Sequence, residues 1–116
     1  YLWGYNNQYP IAEIRNATYD EVTSKIPKST IEAIAARLEP TSTDWSQINE
    51  LRTSLLQAHV TIFAYKPSIG VSCICGPDER SIYFNYDDFG QLKEMYRMEN
   101  GLKKIIENYE YHYPEN

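Results

Sequence analysis

The stretch that decides the fold runs from residue 59 to residue 86: His59-Val60-Thr61-Ile62-Phe63-Ala64-Tyr65-Lys66-Pro67-Ser68-Ile69-Gly70-Val71-Ser72-Cys73-Ile74-Cys75-Gly76-Pro77-Asp78-Glu79-Arg80-Ser81-Ile82-Tyr83-Phe84-Asn85-Tyr86. Val60, Ile62 and Ala64 alternate with His59, Thr61 and Phe63, the two-residue period of a strand. Ile69, Val71, Cys73 and Cys75 share one face of a second run, opposite Gly70, Ser72 and Ile74. Ile82, Phe84 and Tyr86 align on a third. Lys66-Pro67-Ser68 and the run from Gly76 to Arg80 are turn material. Connections this short allow only antiparallel pairing, so the segment predicts a three-stranded meander.

Upstream the period changes to that of helices. Thr18-Tyr19-Asp20-Glu21 has the form of a capping box, with Tyr19, Val22 and Ile26 at helical spacing before Pro27. Ser29-Thr30-Ile31-Glu32 has the same form, and Ile31, Ile34, Ala35 and Leu38 follow as one buried stripe closed by Pro40. A third helix is expected from Thr43 or Asp44 to near Gln57, with Trp45, Ile48, Leu51 and Leu55 on one face. Before these helices, Tyr9 to Ile14 can form a short strand with Pro10 at its start or edge.

Downstream, Asp87 or Asp88 is positioned to cap a last helix carrying Phe89, Leu92, Met95 and Tyr96. Asn100-Gly101 then reads as a helix cap or kink, with Leu102, Ile105, Ile106 and Tyr109 continuing at helical spacing. The expected fold is therefore α+β in one domain, residues 1–116. It has a three- to four-stranded antiparallel sheet with helices packed on one face, N-terminal helices before the sheet and a C-terminal helix after it.

Composition narrows function by exclusion. The 116 residues carry 16 acidic and 11 basic side chains, a net charge of −5. That balance disfavours a phosphate-clamping duplex DNA binder. No apolar run approaches the roughly 18 residues of a spanning helix, so a membrane protein is not expected. Cys73 and Cys75 lie two apart on one strand, at the far edge of disulfide geometry, and two reduced thiols fit a cytoplasmic, reducing setting.

His59-Val60-Thr61 is the sharpest catalytic lead. It is similar to the His-x-Thr element of two-histidine phosphoesterases, in which paired strand histidines act on a phosphodiester. The resemblance makes His59 and Thr61 the residues of an alternative reading, a phosphodiester-acting or ligand-binding pocket on the sheet. A second such element is missing, because His112 in Tyr111-His112-Tyr113 has no hydroxyl residue two positions on. Cys73, Cys75, His59 and His112 have the chemistry of zinc ligands, but the Cys-x-Cys spacing lacks the usual zinc knuckle, so no metal and no cofactor is expected. Nucleophile elbows, phosphate loops and His-Glu-x-x-His elements are absent from the sequence.

Eleven tyrosines remain as the distinctive feature. A tyrosine ring buries a large area yet keeps a polar tip, so it suits surfaces that dock other proteins. Tyr83 and Tyr86, with Asp78, Glu79, Asp87 and Asp88 as a charged rim, form the expected binding patch. The leading expectation is a small protein-binding module: an inhibitor or immunity-type protein that neutralises a basic partner protein. A structural subunit of a larger assembly is a further alternative.

Overall fold

In the computed structural model, residues 1–109 are described. They form β1 (Leu2–Gly4), β2 (Tyr9–Arg15), α1 (Tyr19–Lys25), α2 (Lys28–Ala36), α3 (Ser42–Ser54), β3 (His59–Lys66), β4 (Gly70–Cys75), β5 (Ser81–Tyr86), β6 (Leu92–Glu99) and β7 (Leu102–Asn108). The seven strands make one antiparallel sheet whose spatial order is the order of the sequence, β1 to β7. The class is α+β and mostly sheet. No helix among the described residues is long and apolar enough to cross a membrane.

Two expected elements need correction. The sheet has seven strands, not three or four, and the C-terminal helix is a β-hairpin, β6–β7. The reason lies in Asn100-Gly101. Both residues take positive φ, 51° and 76°, and Glu99 pairs directly with Leu102 across them. Two left-handed residues in a two-residue loop make a hairpin turn whose twist suits flanking strands. Apolar residues at i, i+3, i+4 also permit a pleated strand, and the turn selects between the two. Asp87 caps the preceding turn rather than a helix: its carboxylate accepts the amides of Phe89 (2.9 Å) and Gln91 (3.0 Å).

All three helices fall between β2 and β3, and they lie on one face of the sheet. The Thr18 capping box forms as expected, with Glu21 returning to the Thr18 amide. The Ser29 box does not form. α2 begins one residue after Pro27, whose carbonyl accepts the Thr30 and Ile31 amides, and Ser29 is left inside the first turn. α2 also ends early, because Arg37 turns to extended backbone and carries Leu38 out to 79% exposure. The third helix starts at Ser42 with Thr41 as its cap, so Asp44 is the returning carboxylate of the box.

Ile11, Ile34, Ile48, Leu51 and Val60 form the centre of the core, with Leu2, Val22, Ile26 and Leu55 around them. α2 packs on β1, α3 on β3, and α1 on α3. A helix about 10 Å across spans about two strands spaced at roughly 4.8 Å, so this layer covers β1–β3 and the near side of β4. Beyond Val60 no described residue is fully buried. The radius of gyration, 16.3 Å, exceeds the roughly 13 Å of a compact chain of this length. Half of the molecule is helix on sheet; the other half is sheet alone.

Tyrosines close the near end of the core. Tyr9 stacks on Tyr65 at 4.7 Å, and Tyr5 meets both edge-on. The Tyr65 hydroxyl donates to the Pro10 carbonyl at 2.7 Å, and the Tyr65 amide donates to the Tyr5 hydroxyl at 3.1 Å. Burial raises both phenols above their ordinary range. At the bare end, the Tyr86 hydroxyl donates to the Val71 carbonyl at 2.7 Å, and a Cβ at Gly70 would lie 2.6 Å from it.

Asp44 is the one buried charge among the described residues, at 2% exposure. Its carboxylate accepts the Thr41 amide at 2.9 Å and pairs with Arg37 Nε at 2.9 Å, fixing the α2–α3 corner. Burial alone would raise this carboxyl, but the Thr41 amide and the Arg37 guanidinium outweigh it and hold it below the ordinary carboxylate range. Asp44→Ala is expected to cost about 3 kcal/mol, the low end for a broken buried pair because Arg37 stays half in water. Urea denaturation measures it. A carboxyl with a depressed native value lends stability above its unfolded value of about 3.9, lost as pH falls below that toward the native value. The wild-type advantage over the variant should therefore be full at pH 7 and shrink below about pH 4; an advantage constant down to pH 2 would contradict the assignment.

Candidate functional site

Register assigns every strand residue to one of two faces. Ala64, Cys73, Tyr83 and Tyr96 lie opposite one another across four strands, as do Ile62, Cys75 and Ser81. This is the helix-side face, because Trp45, Ser46 and Asn49 of α3 share a recess of about 410 Å³ with Ile62, Ala64, Cys73 and Cys75. α3 ends there. Past it no described helix covers the same face over β5, β6 and β7, so the helix forms a wall and the sheet a floor.

The floor is aromatic and ordered by side-chain contacts. Tyr83 and Tyr96 stack with centroids 5.2 Å apart and planes 20° apart. Lys103 Nζ sits 4.5 Å above the Tyr96 ring and pairs with Glu94. Asn85 donates to Glu94 at 2.8 Å. The Lys103 pair first, then the Asn85 bond, hold the Glu94 carboxyl below its ordinary range. Met98 and Ile105 add apolar surface at 50% and 49% exposure. Charge on this floor is neutralised within it, which leaves rings and a polar rim for contact.

The structure separates the residues of the expected patch. Tyr83 stands on the floor. Tyr86, at the far end of β5, is turned onto Gly70 and Val71. Asp78 and Glu79 are in the β4–β5 turn and Asp87 and Asp88 in the β5–β6 turn, so the two acidic pairs bracket opposite ends of one strand. Asp78 accepts the Arg80 amide at 3.1 Å, a turn role like that of Asp87. Glu79 borders an open concavity of about 550 Å³ with Arg80, Tyr83, Arg97 and Glu99. Tyr96 and Trp45 also border this surface; helical spacing places both on buried stripes, which holds for Trp45 on α3 but not for Tyr96 on β6. Cross-strand pairing places Tyr96 on the same face as Tyr83, and register is invisible in a single strand.

His59 and Thr61 lie on the opposite face. They share a shallow concavity of about 390 Å³ with Glu13, Arg15 and Pro77, and His59 pairs with Arg15 in the β2–β3 register. Cys73 and Cys75 are free thiols on the helix side, and burial raises the Cys73 thiol. His59 and the two cysteines are thus on different faces of the sheet and cannot share an ion. Tyr111, His112 and Tyr113 lie outside the described residues.

Compared with known proteins, the chain matches no protein-family model, no curated protein and no solved structure.

The Lys103–Glu94–Asn85 cluster has a direct check. Carbon-detected NMR titration should find Glu94 ionising below an ordinary glutamate, and Lys103→Gln should raise it toward that range. An unchanged Glu94 value in the variant would show that the cluster does not form in solution.

Proposed function

We propose that this chain is a protein-binding module whose contact surface is the tyrosine floor of β5 and β6 beside the wall of α3. The observation that supports this reading is the stacked Tyr83–Tyr96 pair, half-buried on a face that the helices leave uncovered. Stacked rings fix their own orientation, so little side-chain entropy remains to be lost on docking. The recess under Trp45 offers a place for an apolar side chain of the partner, the arrangement in which hot spots form.

The concrete form of the proposal is an inhibitor or immunity-type protein of the cytoplasm that neutralises a basic partner. Asp78, Glu79, Asp87 and Asp88 act here at a distance. Placed at both ends of β5, they give the floor a negative surround that speeds encounter with a basic surface, while the rings hold the complex. Affinity capture from host cells should return a stoichiometric partner with the wild-type chain. Tyr83→Ser with Tyr96→Ser should weaken that complex at least about 30-fold, the loss of about 2 kcal/mol typical of a hot spot. Charge-neutral variants of the four acids should slow association and flatten its salt dependence. A partner held equally well by the double tyrosine variant would refute the site.

A second reading rests on the concavity of His59 and Thr61. Arg15, paired there with Glu13, and the His59 imidazole are the groups that could donate to a phosphoryl oxygen. Titration with a cyclic nucleotide, followed through the His59 ring resonances, tests it. Saturable shifts lost in His59→Ala support a ligand site, and no shift at millimolar ligand dismisses it.

A further inference from the structure

The face away from the helices carries an apolar stripe that no layer of described residues covers. Phe63, Ile74 and Ile82 lie side by side across β3, β4 and β5, and Phe84 lies beside Met95 across β5 and β6. Ile82 and Phe84 are two apart on one strand, so the two rows join into one stripe. All five side chains are half-buried. A sheet with two apolar faces normally has both covered. Here α1, α2 and α3 all lie on the other side.

We infer that a second copy of this chain covers the stripe, the two open faces stacking as a sandwich. Three features select a second copy. The first is fit of charge. A two-fold axis across the strands, at the level where Tyr83, Tyr96 and Ile105 pair, lays each strand over its own copy. Lys104, which with Arg97 also pairs with Glu99 of its own chain, lies one residue to one side of that level, and Glu107 lies one step to the other, opposite Met95. The axis therefore sets Lys104 against Glu107 of the second copy, and the reverse, on either side of the axis along β7, with Arg97 lying over Met95 on β6. The second is fit of shape: the same operation sets Ile82 against Phe84 of the second copy, small against large. The third is area. Five strands spaced at about 4.8 Å and about six residues long present roughly 500 Å² each, about 1,000 Å² for two copies, the lower limit for a specific interface. Edge-to-edge pairing is a poorer route, because β7 carries a bulge and two adjacent lysines, both of which spoil a ladder.

The stacked pair leaves both tyrosine floors facing outward, so the assembly is bivalent. This inference does not depend on the proposed function, since it uses the other face.

Sedimentation equilibrium of the full 116-residue chain tests it. The expected species has twice the 13.6 kDa mass and dissociates at micromolar concentration or below. Phe84→Lys should yield a monomer, with circular dichroism confirming the fold. Lys104→Glu and Glu107→Lys should each weaken the dimer about fivefold or more, and the two together should restore it, which a failure to fold cannot mimic. A monomer at every concentration overturns the inference. So does a dimer untouched by Phe84→Lys and by both charge reversals, or one abolished only by proline at Lys103 on the β7 edge.

Discussion

The guanidinium of Arg52 leaves α3 and ends on backbone carbonyls of the sheet: Val60 at 2.7 Å, Gly76 at 2.7 Å and Cys75 at 3.3 Å. Its Nε donates to Asn49 on the same helix. A planar group with five donors can bridge two strands and its own helix at once, as a lysine could not. These bonds fix the end of α3 over the junction of β3 and β4. The wall therefore stands where it does, and the strands after β4 continue without cover. At the opposite corner, Asp44 and Arg37 hold α2 against α3, so the helical layer is pinned at both ends.

The consequence is a sheet of unequal halves. β1–β3 share a closed core with the helices. β4–β7 depend on cross-strand neighbours: Tyr83 with Tyr96, Phe84 with Met95, Asn85 with Glu94. Such pairs contribute roughly 0.2–1 kcal/mol each, far less than a buried core residue, so the far half has less local stability to draw on. Its surfaces are correspondingly available. One face carries rings and compensated charge, the other an apolar stripe, and the two suit different occupants.

Much of the local structure was legible. The alternation from Val60 to Tyr86 yields three of the seven strands, and the Thr18 box yields the first helix, because both signals are local in origin. Leu92, Met95, Tyr96, Leu102, Ile105 and Ile106 satisfy helical spacing, yet Asn100-Gly101 is also the commonest dipeptide of a two-residue hairpin, and weighing that turn first would have recovered β6 and β7. Ser29 failed as a cap because Pro27 already supplies the carbonyl at that helix start. β1 is three residues long and carries no period at all.

The site was legible only in part. Tyr83 belongs to the floor, on the face opposite Ile82 and Phe84 that strand alternation assigns to it. Asp78, Glu79, Tyr86, Asp87 and Asp88 are neighbours in sequence, but an extended strand carries its ends about 17 Å apart in six residues, so nearness along the chain became distance in space. By itself the sequence determined the elements whose cause is local: alternating strands, the Thr18-capped first helix, a tyrosine excess and an acidic balance. Only the tertiary structure decided which faces those elements share, because register and layer coverage follow from hydrogen bonds and packing between segments that are far apart in the chain. Tyr96 stacks on Tyr83 across a turn, and Trp45 borders the same recess as Cys73; neither neighbourhood is written in a local run of sequence.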